Sequence, residues 1–253
     1  MEISGLRAMF VGGASGMARA TAERVAAGGG EVAILDREGS AGGEVAAALG
    51  GSWHPCNVLD FEGIEVVIQE AVDALGGLDA VVTTAGGGKA GRTVGRSGPY
   101  SLDDFRAVID LNLIGTFNVN RLAAWHMSRN EPNEDGERGV MINTASIAAF
   151  EGQIGQVAYT ASKAAVAGMT LTMARDLGSL GIRVITIAPS LFETGLTAGV
   201  TEERAENLVK DAAFPRRMGR PDEYGRLAIA IIENPMLNGD TIRLDGGQRF
   251  APK

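Results

Sequence analysis

Seven short apolar runs punctuate the chain, at residues 7–11, 31–35, 53–58, 79–83, 139–143, 182–188 and 241–244. Each is bounded by Gly, Pro, Asn or Asp, and their β-branched content suits strands buried on both faces. Between them lie longer Ala-rich segments with apolar residues at helical spacing, such as 17–27, 61–75, 103–129 and 157–180. Parallel neighbours need crossover connections, and both faces of the sheet they form must be covered. The alternation therefore predicts an α/β fold: a Rossmann-type, doubly wound parallel sheet of about seven strands with helices on both faces. No shift in composition marks a second unit, so the whole of 1–253 is expected to form one domain. Three stretches break the rhythm and read as loops: 86–101, 130–139, and 191–215 with a short acidic-headed helix inside it.

Several function classes are disfavoured by composition. Cys56 is the single cysteine, so neither an intrachain disulfide nor a cysteine-based zinc site can be built. His54 and His126 stand in unrelated segments without ligand spacing, and no metal is expected. The net charge of -8 and the scattered basic residues lack the footprint of a nucleic-acid binder. No apolar run approaches bilayer length, and a strand pattern begins within a few residues of Met1, leaving no room for a signal or transit peptide. These features predict a cytoplasmic protein without a membrane partner.

The first strand runs into VGGASGMA at 11–18. Glycines at that point let the backbone approach a pyrophosphate, whose charge is stabilised by the free N–H groups of the helix that follows. The spacing, with Gly12, Gly16 and Ala18, is not GxGxxG, and an ordinary tight turn is the plain alternative. Asp36 closes the second strand, where a carboxylate can accept both ribose hydroxyls and repel a 2′-phosphate, favouring NAD over NADP. The neighbouring Arg37 could instead meet such a phosphate.

Tyr159 and Lys163 are four residues apart at the start of a helical segment, on one face. An ammonium beside a phenol lowers its pKa and makes the pair an acid/base device. With three tyrosines and four lysines in the chain, some such pair arises by chance in roughly one case in twenty. Ser146 adds weight to the pair because it ends a strand at the carboxyl edge of the sheet, where a serine can donate to a carbonyl or its alkoxide.

Together these residues resemble the short-chain dehydrogenase/reductase family. The likeness spans the chain: the 11–18 turn, Asp36, TTAG at 83–86, Asn112 in LNLIG, Ser146, YTASK at 159–163, Ala188-Pro189 followed by Thr194, and the closing NGDTIRLDGG. Within the family, the runs from Asn130 to Ala165, IAPSLFETGL, and AIIENPMLNGDTIRLDGG are similar to the type II 3-hydroxyacyl-CoA dehydrogenases. The resemblance implies a tetrad in which Tyr159 is the acid/base, Lys163 lowers its pKa and holds the nicotinamide ribose, Ser146 orients the substrate oxygen, and Asn112 keeps a water in a proton relay. It further implies that NAD is held by Gly12, Ser15, Gly16 and Met17 at the pyrophosphate, Asp36 at the adenosine ribose, and Asn57 and Val58 at the adenine. Thr84, Ala85 and Gly86 would flank the cofactor, Phe192 and Thr194 the nicotinamide, and Gln153 would meet the substrate. The family pattern is altered at Val11, Ala18, Thr83, Asn57 and Ser190, all of which spare the tetrad.

The expected reaction is NAD-dependent interconversion of (3S)-3-hydroxyacyl-CoA and 3-oxoacyl-CoA. Arg92, Arg96, Arg216 and Arg217 are candidates for the CoA phosphates. The alternatives are reduction of a 3-oxoacyl carrier protein, oxidation of a steroid or other secondary alcohol, and, from another class, a scaffold role in a larger assembly. The resemblance also implies a homotetramer.

Overall fold

A computed structural model describes residues 1–195, 199 and 201–252, the side chains of 202–204 excepted. Leu196, which ends the run IAPSLFETGL, lies outside them. The first half of the chain comprises β1 (Arg7–Val11), α1 (Gly16–Ala27), β2 (Glu31–Asp36), α2 (Gly42–Leu49), β3 (Ser52–Pro55), α3 (Ile64–Leu75) and β4 (Ala80–Thr83). A small hairpin follows, β5 (Val94–Gly95) with β6 (Gly98–Pro99), and then α4 (Leu102–Ile109) and α5 (Gly115–Met127). The remainder comprises β7 (Gly139–Thr144), α6 (Val157–Gly178), β8 (Ile182–Pro189), α7 (Glu202–Val209), α8 (Pro221–Glu233) and β9 (Thr241–Leu244).

Seven strands form one sheet in the order β3-β2-β1-β4-β7-β8-β9, every neighbouring pair parallel. The winding reverses between β1 and β4, so a crevice opens at their carboxyl ends, where doubly wound sheets bind ligands. Side-chain alternation divides the core into two layers. From β1, Met9 and Val11 face α3, α5 and α6, while Ala8 and Phe10 face α1, α2 and α8. On the second face α1 and α8 lie in close contact: a Cβ at Gly225 would stand 3.1 Å from the Ala20 carbonyl oxygen. Beside Gly225, Tyr224 is fully buried and its hydroxyl is paired with Thr144 Oγ at 2.8 Å.

Three local departures from the sequence reading matter for the site. The third strand stops at Pro55 rather than Val58, and Cys56–Val58 turn over the carboxyl edge of the sheet. Within 86–101 the loop carries the β5–β6 hairpin. The continuous helix expected over 103–129 is broken by one π-helical stretch, Asp110–Ile114. Its physical cause is Asn112, which is wholly buried with its amide bonded to the Gly87 backbone in both directions, at 2.9 Å and 2.8 Å. Widening the helix by one residue at this point turns that side chain inward, and such single-turn π-bulges are frequent at functional sites. Two helices not singled out from sequence, α2 and α8, complete the second face. Among the described residues no helix is long and apolar enough to cross a membrane.

Candidate active site

Two adjoining cavities open along the carboxyl edge of the sheet. The first, of about 570 Å³, is lined by Gly12, Ser15, Gly16, Met17, Asp36, Asn57, Val58, Thr84, Ala85, Gly86 and Thr194, each a residue expected to hold the cofactor. The second, of about 350 Å³, contains Ser146, Tyr159, Lys163 and Phe192, and shares Met17, Thr84, Gly86 and Thr194 with the first. The Tyr159 phenol therefore stands in the cavity that adjoins the first one.

The floor of the first cavity is bare backbone. Gly12 has φ +86°, and a Cβ there would lie 2.8 Å from the Ala85 amide nitrogen, so a side chain would both strain the turn and fill the cradle. Ser15 is the N-cap of α1 but makes no side-chain cap bond, leaving its hydroxyl unspent at the positive end of the helix. Asp36 is fixed at the end of β2 by two backbone donors, Ala14 N–H to Oδ2 at 3.0 Å and Arg37 N–H to Oδ1 at 2.7 Å. The carboxylate and the side chain of Arg37 line the same cavity. Cys56 lies there too, its thiol pushed up to about 12 by burial and by the nearby carboxylates of Asp36 and Asp60.

In the second cavity Ser146 ends the strand-to-helix turn after β7, its Oγ accepting from Ala148 N–H at 3.1 Å, and it lines the same cavity as the Tyr159 phenol. Burial raises the pKa of Tyr159 and the Ser146 contact opposes that rise. The sequence expectation is that Lys163 lowers this pKa; in the cofactor-free fold burial is the larger influence. The Lys163 ammonium lies 5.9 Å from the Tyr159 ring centroid and donates to the Thr144 carbonyl oxygen at 2.8 Å, with its own pKa pushed down to about 8 by burial. The i, i+4 spacing therefore brings the pair onto one helix face, while the strand β7 fixes the lysine's head. Gly86 makes room for that head: a Cβ there would stand 2.8 Å from Asn112 Oδ1 and 3.2 Å from Lys163 Nζ.

Asn112 lines neither cavity. Its side chain is consumed by Gly87 and by Ser162 Oγ, to which Nδ2 donates at 2.9 Å, so it staples the 86–88 wall to α6. Gln153 also stands apart: its amide donates to the Ala251 carbonyl at 3.2 Å in a separate surface groove. Gln156, three residues before Tyr159, lines the second cavity instead, and the spacing of three from a helical tyrosine was the available sequence signal. Lys89, also missed from sequence, lines it as well.

Residues 12–249 match the family model described as enoyl-(acyl carrier protein) reductase, one of the short-chain dehydrogenase/reductase models. The chain belongs to the short-chain dehydrogenase/reductase family. A 3-hydroxyacyl-CoA dehydrogenase type-2 of Drosophila melanogaster is 50% identical over 248 residues, 96% of this chain and 97% of its own. The crystal structure of 3-hydroxyacyl-CoA dehydrogenase type-2 from Mycobacterium avium shares 43% identity and a TM-score of 0.94, covering 98% of each chain. A 7α-hydroxysteroid dehydrogenase solved with NADH and 7-oxo glycochenodeoxycholic acid is 26% identical with a TM-score of 0.88, over 98% of this chain and 96% of that one.

As a short-chain dehydrogenase/reductase the protein is an NAD-dependent oxidoreductase. The geometry fits that cofactor: a glycine floor, a helix N-terminus with an unspent serine, and a fixed carboxylate at the strand end that suits two ribose hydroxyls. Ala18, which stands where the family pattern has glycine, is wholly buried in the first turn of α1.

Proposed function

We propose that the protein interconverts (3S)-3-hydroxyacyl-CoA and 3-oxoacyl-CoA. The observation that carries this reading is the junction of the two cavities, which brings Ser146 and Tyr159 to the wall shared with the dinucleotide cradle. Support for the substrate class comes from the 50% and 43% identities with two 3-hydroxyacyl-CoA dehydrogenases of type 2 over nearly the full chain.

In the reductive direction Ser146 Oγ–H and Tyr159 Oη–H both donate to the 3-oxo oxygen, and the Tyr159 proton is transferred to it as the oxygen gains charge. The bound nicotinamide would supply the hydride to carbon 3 in this direction and take it up in the other. In the oxidative direction the Tyr159 tyrosinate, stabilised by the Lys163 ammonium, takes the hydroxyl proton and returns to the neutral phenol. Burial favours the neutral phenol, so in cofactor-free protein near pH 7 Tyr159 is set as the acid and Lys163 is charged. Gly12, Ser15, Gly16 and Met17 would hold the pyrophosphate, Asp36 the adenosine ribose, Asn57 and Val58 the adenine, and Thr84 to Gly86, Phe192 and Thr194 the nicotinamide half. Asn112 acts behind them by fixing the Gly87 backbone and the α6 face, and Gln156 is better placed than Gln153 to meet the acyl chain.

The functional unit is proposed to be a homotetramer in a reducing compartment. Half-exposed Phe117 and Trp125 on α5, and Val157 and Leu171 on α6, supply an apolar face for the copies. The substrate reading is tested by comparing (3S)- and (3R)-3-hydroxybutyryl-CoA with NAD. Oxidation of the S isomer with the R isomer inert is expected, and equal rates or a preference for R would refute it.

A further inference from the structure

We propose that Lys89 is a specificity-determining residue that leaves its partner Asp104 to bind a phosphate of the acyl-CoA. The inference rests on the substrate reading above and assigns the charge recognition within that same site.

Among the described residues lining the second cavity, the charged side chains are Lys163 and Lys89. Lys163 is buried and held by the Thr144 carbonyl, so it is committed to the reacting end. Lys89 is the opposite case. The wall that carries it runs outward from the chemistry: Gly86 beside Lys163 Nζ, Gly87 stapled to Asn112, and Gly88 against the Tyr159 ring, where a Cβ would lie 3.1 Å from Cδ2. Lys89 follows at the mouth, its side chain 64% exposed. In an acyl-CoA the phosphates are separated from the thioester by the whole pantetheine arm, so the cation that meets them belongs at the mouth and not beside Tyr159.

The backbone at Lys89 is built and its head is loosely held. Tyr100 Oη donates to the Lys89 carbonyl at 2.8 Å, and Gly91 N–H donates to the Gly155 carbonyl at 2.8 Å, tying this wall to the loop before α6. The ammonium itself is paired with Asp104 Oδ1 at 2.6 Å, in an exposed ion pair of a kind that adds little to stability and exchanges readily for a more highly charged anion. Two of the four candidate arginines are worse placed. Arg217 is forked onto Glu223 at 2.9 Å and 2.7 Å, and Arg92 lines the separate groove beyond the Gly91–Gln156 bridge.

The test compares acetoacetyl-CoA with S-acetoacetyl-N-acetylcysteamine, a neutral thioester without phosphates, under saturating NADH. For Lys89→Ala, KM for the CoA ester is expected to rise about fivefold with kcat held within about twofold, and the neutral thioester to be unaffected. Lys89→Arg should restore KM. Asp104→Asn should lower it, because the competing carboxylate is gone, and high salt should erase all these differences. Equal changes with both thioesters, or none with either, would overturn the role of Lys89 while leaving the substrate reading intact. A wild-type protein inert towards both thioesters would overturn the substrate reading and the Lys89 assignment with it.

Discussion

Tyr159→Phe is expected to lower turnover by roughly 10²–10⁴-fold in both directions while leaving NADH affinity within about twofold. The substitution deletes one oxygen. The phenol is the group placed to give a proton to the substrate oxygen, and Phe keeps the ring that packs against Gly88. The helix N-terminus, the Gly12 floor and Asp36 are untouched, so the dinucleotide cradle should survive. Stopped-flow turnover and NADH fluorescence titration on the same preparation separate the two effects. A variant retaining more than about a tenth of wild-type turnover would remove Tyr159 from the acid/base role. The same variant addresses the scaffold alternative, since an assembly role would persist while turnover disappears.

Lys163→Met should raise the stability of the cofactor-free protein while abolishing activity. The Lys163 pKa is pushed from 10.5 down to about 8 by burial, which corresponds to a penalty of roughly 3 kcal/mol for keeping the ammonium charged inside the fold. Losing the hydrogen bond to Thr144 returns about 1 kcal/mol of that, leaving a net gain near 2 kcal/mol, or roughly 4–8 °C in Tm. The pH dependence carries the sign. Between pH 8 and 10.5 the unfolded chain binds more protons at this lysine than the folded one, so wild-type stability gains with pH there relative to the variant. The stability gap is therefore constant below pH 8, shrinks as pH rises, and reverses to favour the wild type by about 1 kcal/mol as pH approaches 10.5. Thermal unfolding of both proteins across that range measures it, and a variant less stable than wild type at pH 7, or a gap indifferent to pH, would contradict the account. A group that destabilises its own fold in this way is held for function, which is where stability and activity are expected to oppose each other.

How far the sequence carries this picture differs from element to element. β1 and β9 are legible to the residue, because buried parallel strands read as short apolar runs closed by turn residues. The third strand is overread because Cys56 and Val58 are apolar and buried, yet they are buried in the core layer with Ile64 and Ile68 of α3, with Val58 against Gly115 of α5, and not as members of the sheet. Helix α4 and helix α5 read as one because every residue from Asp110 to Ile114 tolerates a helix, and the π-bulge is set by Asn112 bonding to Gly87, twenty-five positions away. The same limit explains the site. The Gly12, Asp36 and Tyr159–Lys163 spacings are local, and the structure brings those residues to one edge of the sheet. Gln156 and Lys89 reach the second cavity through the bridge between Gly91 and Gln156, a contact between distant segments that spacing does not encode. The head of Lys163 is directed by Thr144 on β7, a contact that helix spacing does not encode.

The most direct measurement is the rate of acetoacetyl-CoA reduction by the purified protein with NADH and, separately, with NADPH. Fast oxidation of NADH with NADPH at least about tenfold poorer is the result predicted, because the Asp36 carboxylate, fixed at the end of β2 by Ala14 and Arg37, would accept ribose hydroxyls and repel a 2′-phosphate. NADH binding without turnover would contradict the acyl-CoA assignment, and equal use of NADPH would contradict the role given to Asp36.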